Sequence, residues 1–324
     1  MKKSEEIFHL YSCCLTFQGH RRSVIIDTQR NELYYIPNAL YSLLKNNPTK
    51  LTVSNDEMIK EYLSFLLDNE IGFLLEKNDN FPSLSLNFHT PFKITNATIE
   101  IENFSNYNLS KVSDELIELG CKSFYLKIIK NCTINDLIKI FSHFKENAFN
   151  SIDILTSGKL INVDQLIEFI LVNPNIRNFT LTDSNKNDLI QLSGDGMTTL
   201  RLTTDGVNKM KKITPKMFNL NLQFISESFH YNNYLNKKIT VDRNGLIKNS
   251  CSFDQSFGHI DKVSLKDVIS NSEFSKFWEL NNDKVEICKD CEHRYICPQI
   301  VKKESEVYKK PEICSYNPYI GEWE

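Results

Sequence analysis

Between residues 94 and 200 the chain alternates strand-like and helix-like text, and this rhythm limits the fold more than any other feature. ITNATIEIEN, KSFYLKIIK, SIDILTS and IRNFTLTD are strand-like runs recurring at roughly 26–28 residues. Between them lie LSKVSDELIELG, TINDLIKIFSHFKEN and VDQLIEFILVN, whose apolar residues keep helical spacing. Gly120 closes the first helix as a C-terminal cap. Strand–helix–strand repeats of this kind predict successive crossover units and a parallel sheet. TTLRLTT and LNLQFIS read as further strands to about residue 226. The expected fold class is α/β, with a sheet curved or closed into a partial barrel and its chemistry at the C-terminal strand ends.

The flanks read differently. In residues 1–92, SVIID and ELYYI form a hairpin around Thr28–Asn31, and Pro37 opens a helix that Asn47 and Pro48 end. Ser54 with Glu57 reads as a capping box for MIKEYLSFLLDN, and FLLEKNDNFPSL closes the unit with a strand and a proline exit. Short strands and helices on this scale predict a winged-helix-like module. Residues 93–228 are the partial barrel. In 229–324 the rhythm stops: a hairpin around Asn244–Gly245 and a helical run, LKDVISNSEFSKFWEL, precede a cysteine-rich tail.

Net charge is −3, which gives no bulk attraction to nucleic acid. No run approaches the roughly 18–20 apolar residues that span a bilayer. Glu5, Glu6 and His9 interrupt the basic N-terminus, which rules out a signal peptide and leads us to expect a cytoplasmic protein without a membrane partner. The abundance of Asn, Lys and Ile reads as compositional drift.

Nine cysteines in a reducing compartment do not make a disulfide framework. Cys13, Cys14, Cys121 and Cys132 sit in apolar segments and read as buried thiols. The others concentrate in the tail. Cys288 and Cys291 form a C-x2-C pair, with Cys297 and Cys314 beyond. Such a pair presents two sulfurs from one turn, and four thiolates select zinc or an iron–sulfur cluster.

This spacing resembles the SPASM domain, the C-terminal extension of peptide-modifying radical SAM enzymes. CKDCEHRYIC, KPEICSYNPYIGEW, VDRNGLIKN, SFGHI and the N-terminal GHRRSVIIDTQRNELYYIPNALYSLL are similar to the maturase of the grasp-with-spasm peptide systems. The resemblance implies a protein that binds a ribosomal precursor peptide, works with an ATP-grasp peptide ligase, and recognises the peptide through its N-terminal unit. It also implies that Cys288, Cys291, Cys297 and Cys314 hold one 4Fe–4S cluster. The family's inner cluster is incomplete here, because Val301 stands where a cysteine is needed, HYNNYLNKK offers only His230, and Cys251 alone remains. The C-x3-C-x2-C motif that opens one iron to S-adenosylmethionine is missing after ATIEIEN, where FSNYNLSKV follows, and KIIKN lacks the Gly-Gly-Glu text. Neither S-adenosylmethionine binding nor radical activity is expected, and no residue is assigned a catalytic role.

The remaining candidates have plainer readings. Glu100 and Glu102 share one side of a strand and are barrel-mouth or surface acids. Arg21 and Arg22 meet an acidic peptide or are simply solvated. His293 packs near the metal, and Arg294 and Tyr295 hydrogen-bond the cluster's sulfurs or cover it. Trp278, Tyr316, Tyr319 and Trp323 shield it. The expected function is an accessory maturation protein. The alternatives are a zinc-stabilised scaffold without redox role and an enzyme that uses the cluster for electron transfer.

Overall fold

The computed structural model describes residues 6–76, 82–103, 106–145, 147–192, 197–209, 212–300, 302–304 and 307–324. Val301, the inner-cluster position, lies outside them, as do parts of FLLEKNDNFPSL and FSNYNLSKV. The chain divides into two compact units. One joins Met1–His89 to Lys211–Tyr234 and Glu279–Glu324; the other joins Thr90–Met210 to Leu235–Trp278.

The first unit begins with β1 (Glu6–Leu10), β2 (Cys14–Gln18), β3 (Ser23–Asp27) and β4 (Glu32–Ile36). β2, β3 and β4 form an antiparallel sheet in that order. The expected hairpin is thus β3–β4. Pro37 precedes α1 (Asn38–Asn46), and Asn47 ends it. A short α2 (Thr49–Val53) follows, so Ser54 terminates that helix instead of opening the next. Asp56 is the true cap of α3 (Glu57–Asp68), its carboxylate accepting from the Met58 amide. The capping-box reading fails because Asp56 stands nearer the apolar face and caps as well as serine. β5 (Gly72–Glu76) then pairs with β1.

The second unit is built on β6 (Asn96–Ile101), α4 (Leu109–Glu118), β7 (Ser123–Ile128), α5 (Ile134–Phe141), β8 (Ser151–Ser157), α6 (Val163–Leu171) and β9 (Ile176–Thr182). The rhythm read from the sequence holds through this stretch. β10 (Asp188–Gln191) is an unforeseen antiparallel margin, and β11 (Thr199–Leu202) runs parallel to β9. LNLQFIS is a correction: Asn221 caps α7 (Leu222–His230) through the Phe224 amide, and this helix belongs to the first unit. Its inward positions, Ile225 and Ser228, have helical spacing, which a seven-residue window misread as strand text. β12 (Lys238–Val241) and β13 (Ile247–Lys248) form the expected hairpin. Gly245 turns it at φ 77°, where a Cβ would meet the His259 ring at 2.6 Å. The LKDV run is not one helix but α8 (Leu265–Ile269), α9 (Ser272–Ser275) and a 3-10 turn.

The eight strands of this unit run in the order β10-β11-β9-β8-β7-β6-β12-β13, an open, mostly parallel α/β sheet. β12 joins the free side of β6 in parallel. Parallel sheets are usually buried on both faces and read as continuous apolar runs. This one alternates. Ile99, Ile101, Phe124, Leu126, Ile152 and Ile154 are buried in one core with Val112, Leu116, Leu137, Ile140 and Leu166 of the helices. The opposite positions are polar, and one row crosses strands in register: Thr240, Thr98, Tyr125, Asp153, Asn178 and Thr199. Asn178 donates to Asp153 Oδ1 and accepts from Thr199 Oγ1, both at 2.8 Å.

α5 carries a reciprocal cap: Thr133 accepts from the Asp136 amide, and the Asp136 carboxylate accepts from the Thr133 amide and hydroxyl. These bonds hold the Asp136 pKa below its usual value. Thr133→Ala is expected to cost about 1 kcal/mol by chemical denaturation. Asp136's own contribution is present above the ordinary aspartate range and is lost as pH falls through its lowered pKa.

Candidate metal centre

The first unit contains all four tail cysteines. Their loop begins with strain. Ile287 has φ 70°, a left-handed backbone that a β-branched residue rarely adopts, and it launches the 3-10 turn Cys288–Asp290. The Cys291 amide donates to the Cys288 carbonyl at 3.0 Å, bringing both sulfurs to one side of a tight turn. A second turn carries the chain from Cys291 to Cys297, whose amide donates to His293 O at 3.1 Å. Cys314 returns on a turn closed to Pro311 O.

The thiols are electrostatic neighbours. Burial and then Cys314 push Cys288 up to about 12. Burial, then Cys297 and more weakly Cys288, hold Cys291 well above the usual thiol value. Burial, Cys288 and Cys314 raise Cys297. Two donors point at sulfur: the His293 amide to Cys291 Sγ and Asn282 Nδ2 to Cys297 Sγ, each at 3.4 Å.

Around this loop lies a buried amide network. Asn232 Nδ2 donates to the carbonyls of Leu280 and Gln299 at 2.7 and 2.9 Å. Asn233 Nδ2 donates to the Cys297 carbonyl at 3.0 Å, and Asn233 and Gln299 exchange bonds through their side chains and amides. Asn282 also donates to Arg294 O. These four residues are almost wholly buried. Reading asparagine abundance as drift missed them. The signal available was their adjacency, as HYNNY and ELNND, to the cysteine segment.

The carboxylate within CKDCEH was also missed. Glu292 is fully buried; its Oε1 accepts from Arg22 Nε at 2.8 Å and from the Tyr316 hydroxyl. Its Oε2 has no partner among the described residues. The Arg22 guanidinium stacks 3.7 Å from the Tyr35 ring, so Arg22 is held inside the unit, whereas Arg21 is exposed. His293 packs against Phe218 and Tyr316 with ring centres at 4.7 Å, and its Nε2 meets the Tyr35 hydroxyl at 2.9 Å. Its Nδ1 lies 3.8 Å from Cys291 Sγ. Burial drives His293 down to about 4, the neighbouring Glu292 opposing.

Arg294 and Tyr295 bond to Asp283, at 2.9 Å each, instead of to sulfur. Tyr316 and Trp323 stack at 5.1 Å, forming an aromatic cover over His293. Tyr319 is exposed and donates to Asp290. Trp278 belongs to the other unit, where it packs on Phe274.

In that other unit, Glu100 is buried and takes Lys127 Nζ at 3.1 Å, joining the C-terminal ends of β6 and β7. Glu102 lies beyond β6 and meets Arg243 at 3.8 Å. Cys251 is solvent-exposed, with Glu100 as its side-chain hydrogen-bonding neighbour.

No protein-family profile matches this sequence, and no curated protein does. Among solved structures, SuiB of Streptococcus suis bound to S-adenosylmethionine aligns with 95% of this chain and 100% of its own, at 11% identity and a TM-score of 0.35. SuiB bound to its precursor peptide SuiA aligns over the same shares at 12% identity and a TM-score of 0.36.

Proposed function

We propose that this chain is an accessory maturation protein for a ribosomally made peptide, binding the precursor and working with an ATP-grasp ligase in the cytoplasm. Cys288, Cys291, Cys297 and Cys314 hold one 4Fe–4S cluster, and there is no catalytic radical cluster. Residues 1–92 serve as the winged-helix-like recognition module, 93–228 as a degenerate radical-SAM-like partial barrel, and 229–324 as the SPASM domain. The observation that carries the reading is the set of four neighbouring thiols, with amide donors at their sulfurs, inside the unit that also holds the β2-β3-β4 sheet. At the ends of β6 and β7, by contrast, stand a carboxylate and an amine.

Spacing favours a cluster over zinc. Four thiolates on one zinc ion lie about 3.8 Å apart, given a Zn–S bond of about 2.3 Å. Among the described residues, the sets of Cys, His, Asp or Glu ligand atoms within 4.8 Å of one another are Cys13–Cys14–Asp27 and Cys291–Glu292–His293. The four sulfurs form no such set, and a cubane needs them farther apart. The zinc-scaffold alternative draws on Cys291–Glu292–His293. However, Arg22, Tyr316 and Tyr35 already engage Glu292 Oε1 and His293 Nε2. A cluster ligated at every iron supplies bracing and one-electron transfer.

The partner claim is tested by capture on the full-length protein. The precursor peptide and the ligase are both expected to be retained; failure to retain either contradicts it.

A further inference from the structure

Resting on that peptide-binding reading, we propose that the free edge of β2 is where the peptide docks, as an added strand with an acidic side chain near Lys45. β2 is a margin of its sheet. The Gly19 amide bonds Arg22 O and the Thr28 amide bonds Cys13 O, so Cys13, Leu15, Phe17 and Gly19 face β3. By strand alternation, the backbone groups of Cys14, Thr16 and Gln18 point away from it. Two of these are already taken: the Cys14 amide by Tyr11 O, and the Gln18 carbonyl by Arg294 Nη1. The Thr16 amide and carbonyl have no partner among the described residues.

A second observation points to a ligand at the same place. A cavity of about 360 Å³ runs along all five residues of β2, bounded across from the strand by Tyr41, Lys45, Phe229 and Tyr295. Thr16 is 93% buried, and its hydroxyl has no hydrogen-bond partner among the described residues. An extended chain laid along β2 would engage the Thr16 backbone and its cavity-facing side groups, as edge-strand recognition does. Charge selects the occupant. Arg294 is balanced by Asp283, while Lys45 is exposed and forms no ion pair among the described residues. The rim is therefore cationic, and a glutamate or aspartate on the added strand complements it.

The probe is a short labelled peptide alternating valine and threonine around a central glutamate, compared with the same peptide carrying lysine instead. Thr16→Pro removes an amide that points away from the sheet, so the ladder to β3 survives. Thermal melting confirms that the variant is folded. Loss of that bond and the bound strand's unpaired acceptor is expected to weaken binding of the glutamate peptide about tenfold. Lys45→Glu, at an exposed site, is expected to reverse the preference towards the lysine peptide. Undiminished binding by folded Thr16→Pro, or an unchanged preference in Lys45→Glu, overturns the β2 assignment. If the full protein still retains the precursor peptide in that case, the broader reading stands and only the docking edge is wrong.

Discussion

Cys297→Ala is expected to empty the tail site and unfold the loop around it. Cys297 is the sulfur at which most of the site's supports meet: Asn282 donates to its thiol, Asn233 to its carbonyl, and its amide closes the turn from His293. Without metal, four thiols held near one another are protonated and partly buried, a poor substitute for a bonded centre. Metal-binding free energy at such a site is folding free energy, so losing one ligand should cost several kcal/mol. The measurement is metal content together with hydrogen exchange. Loss of metal with new exchange at residues 279–300 is expected; full metal content and native protection in the variant would contradict it.

The second large effect is expected far from the cysteines in sequence, at Arg22. Its guanidinium is the cationic partner of a carboxylate with no solvent exposure, and removing it leaves Glu292 charged and unpaired in the interior. Breaking a buried pair on one side costs about 3–5 kcal/mol. Arg22→Ala should lose stability on that scale in denaturant titration. Arg22→Ala combined with Glu292→Gln should lose less, because the neutral amide removes the stranded charge. Equal losses in the single and double variants would mean that packing against Tyr35, not the ion pair, is what Arg22 contributes.

The parts of the fold that the sequence disclosed were those set by local chemistry. β6 to β9 and the helices between them followed from apolar spacing, and Gly120, Pro37 and Gly245 marked ends and turns through backbone geometry. The alternation within IEIE, YLKI and DILT also carried the polar sheet face, although a parallel sheet would ordinarily erase it. α7 was lost because its first residues satisfy a strand pattern, and only the cap at Asn221 and the spacing of Ile225 and Ser228 distinguish it. The four cysteines stood out by spacing. What surrounds them did not, because its partners are distant in sequence: Arg22 is 270 residues from Glu292, and Asn233 is 66 from Gln299. No periodicity links such pairs. The two units interleave along the chain for the same reason, with the tail returning to the N-terminal residues.

Anaerobic purification with iron, acid-labile sulfide and zinc quantified tests the central claim most directly. The account predicts about four iron and four sulfide per chain, the content of one 4Fe–4S cluster, with no cleavage of added S-adenosylmethionine. One zinc per chain without sulfide, or reductive cleavage of S-adenosylmethionine, would contradict it.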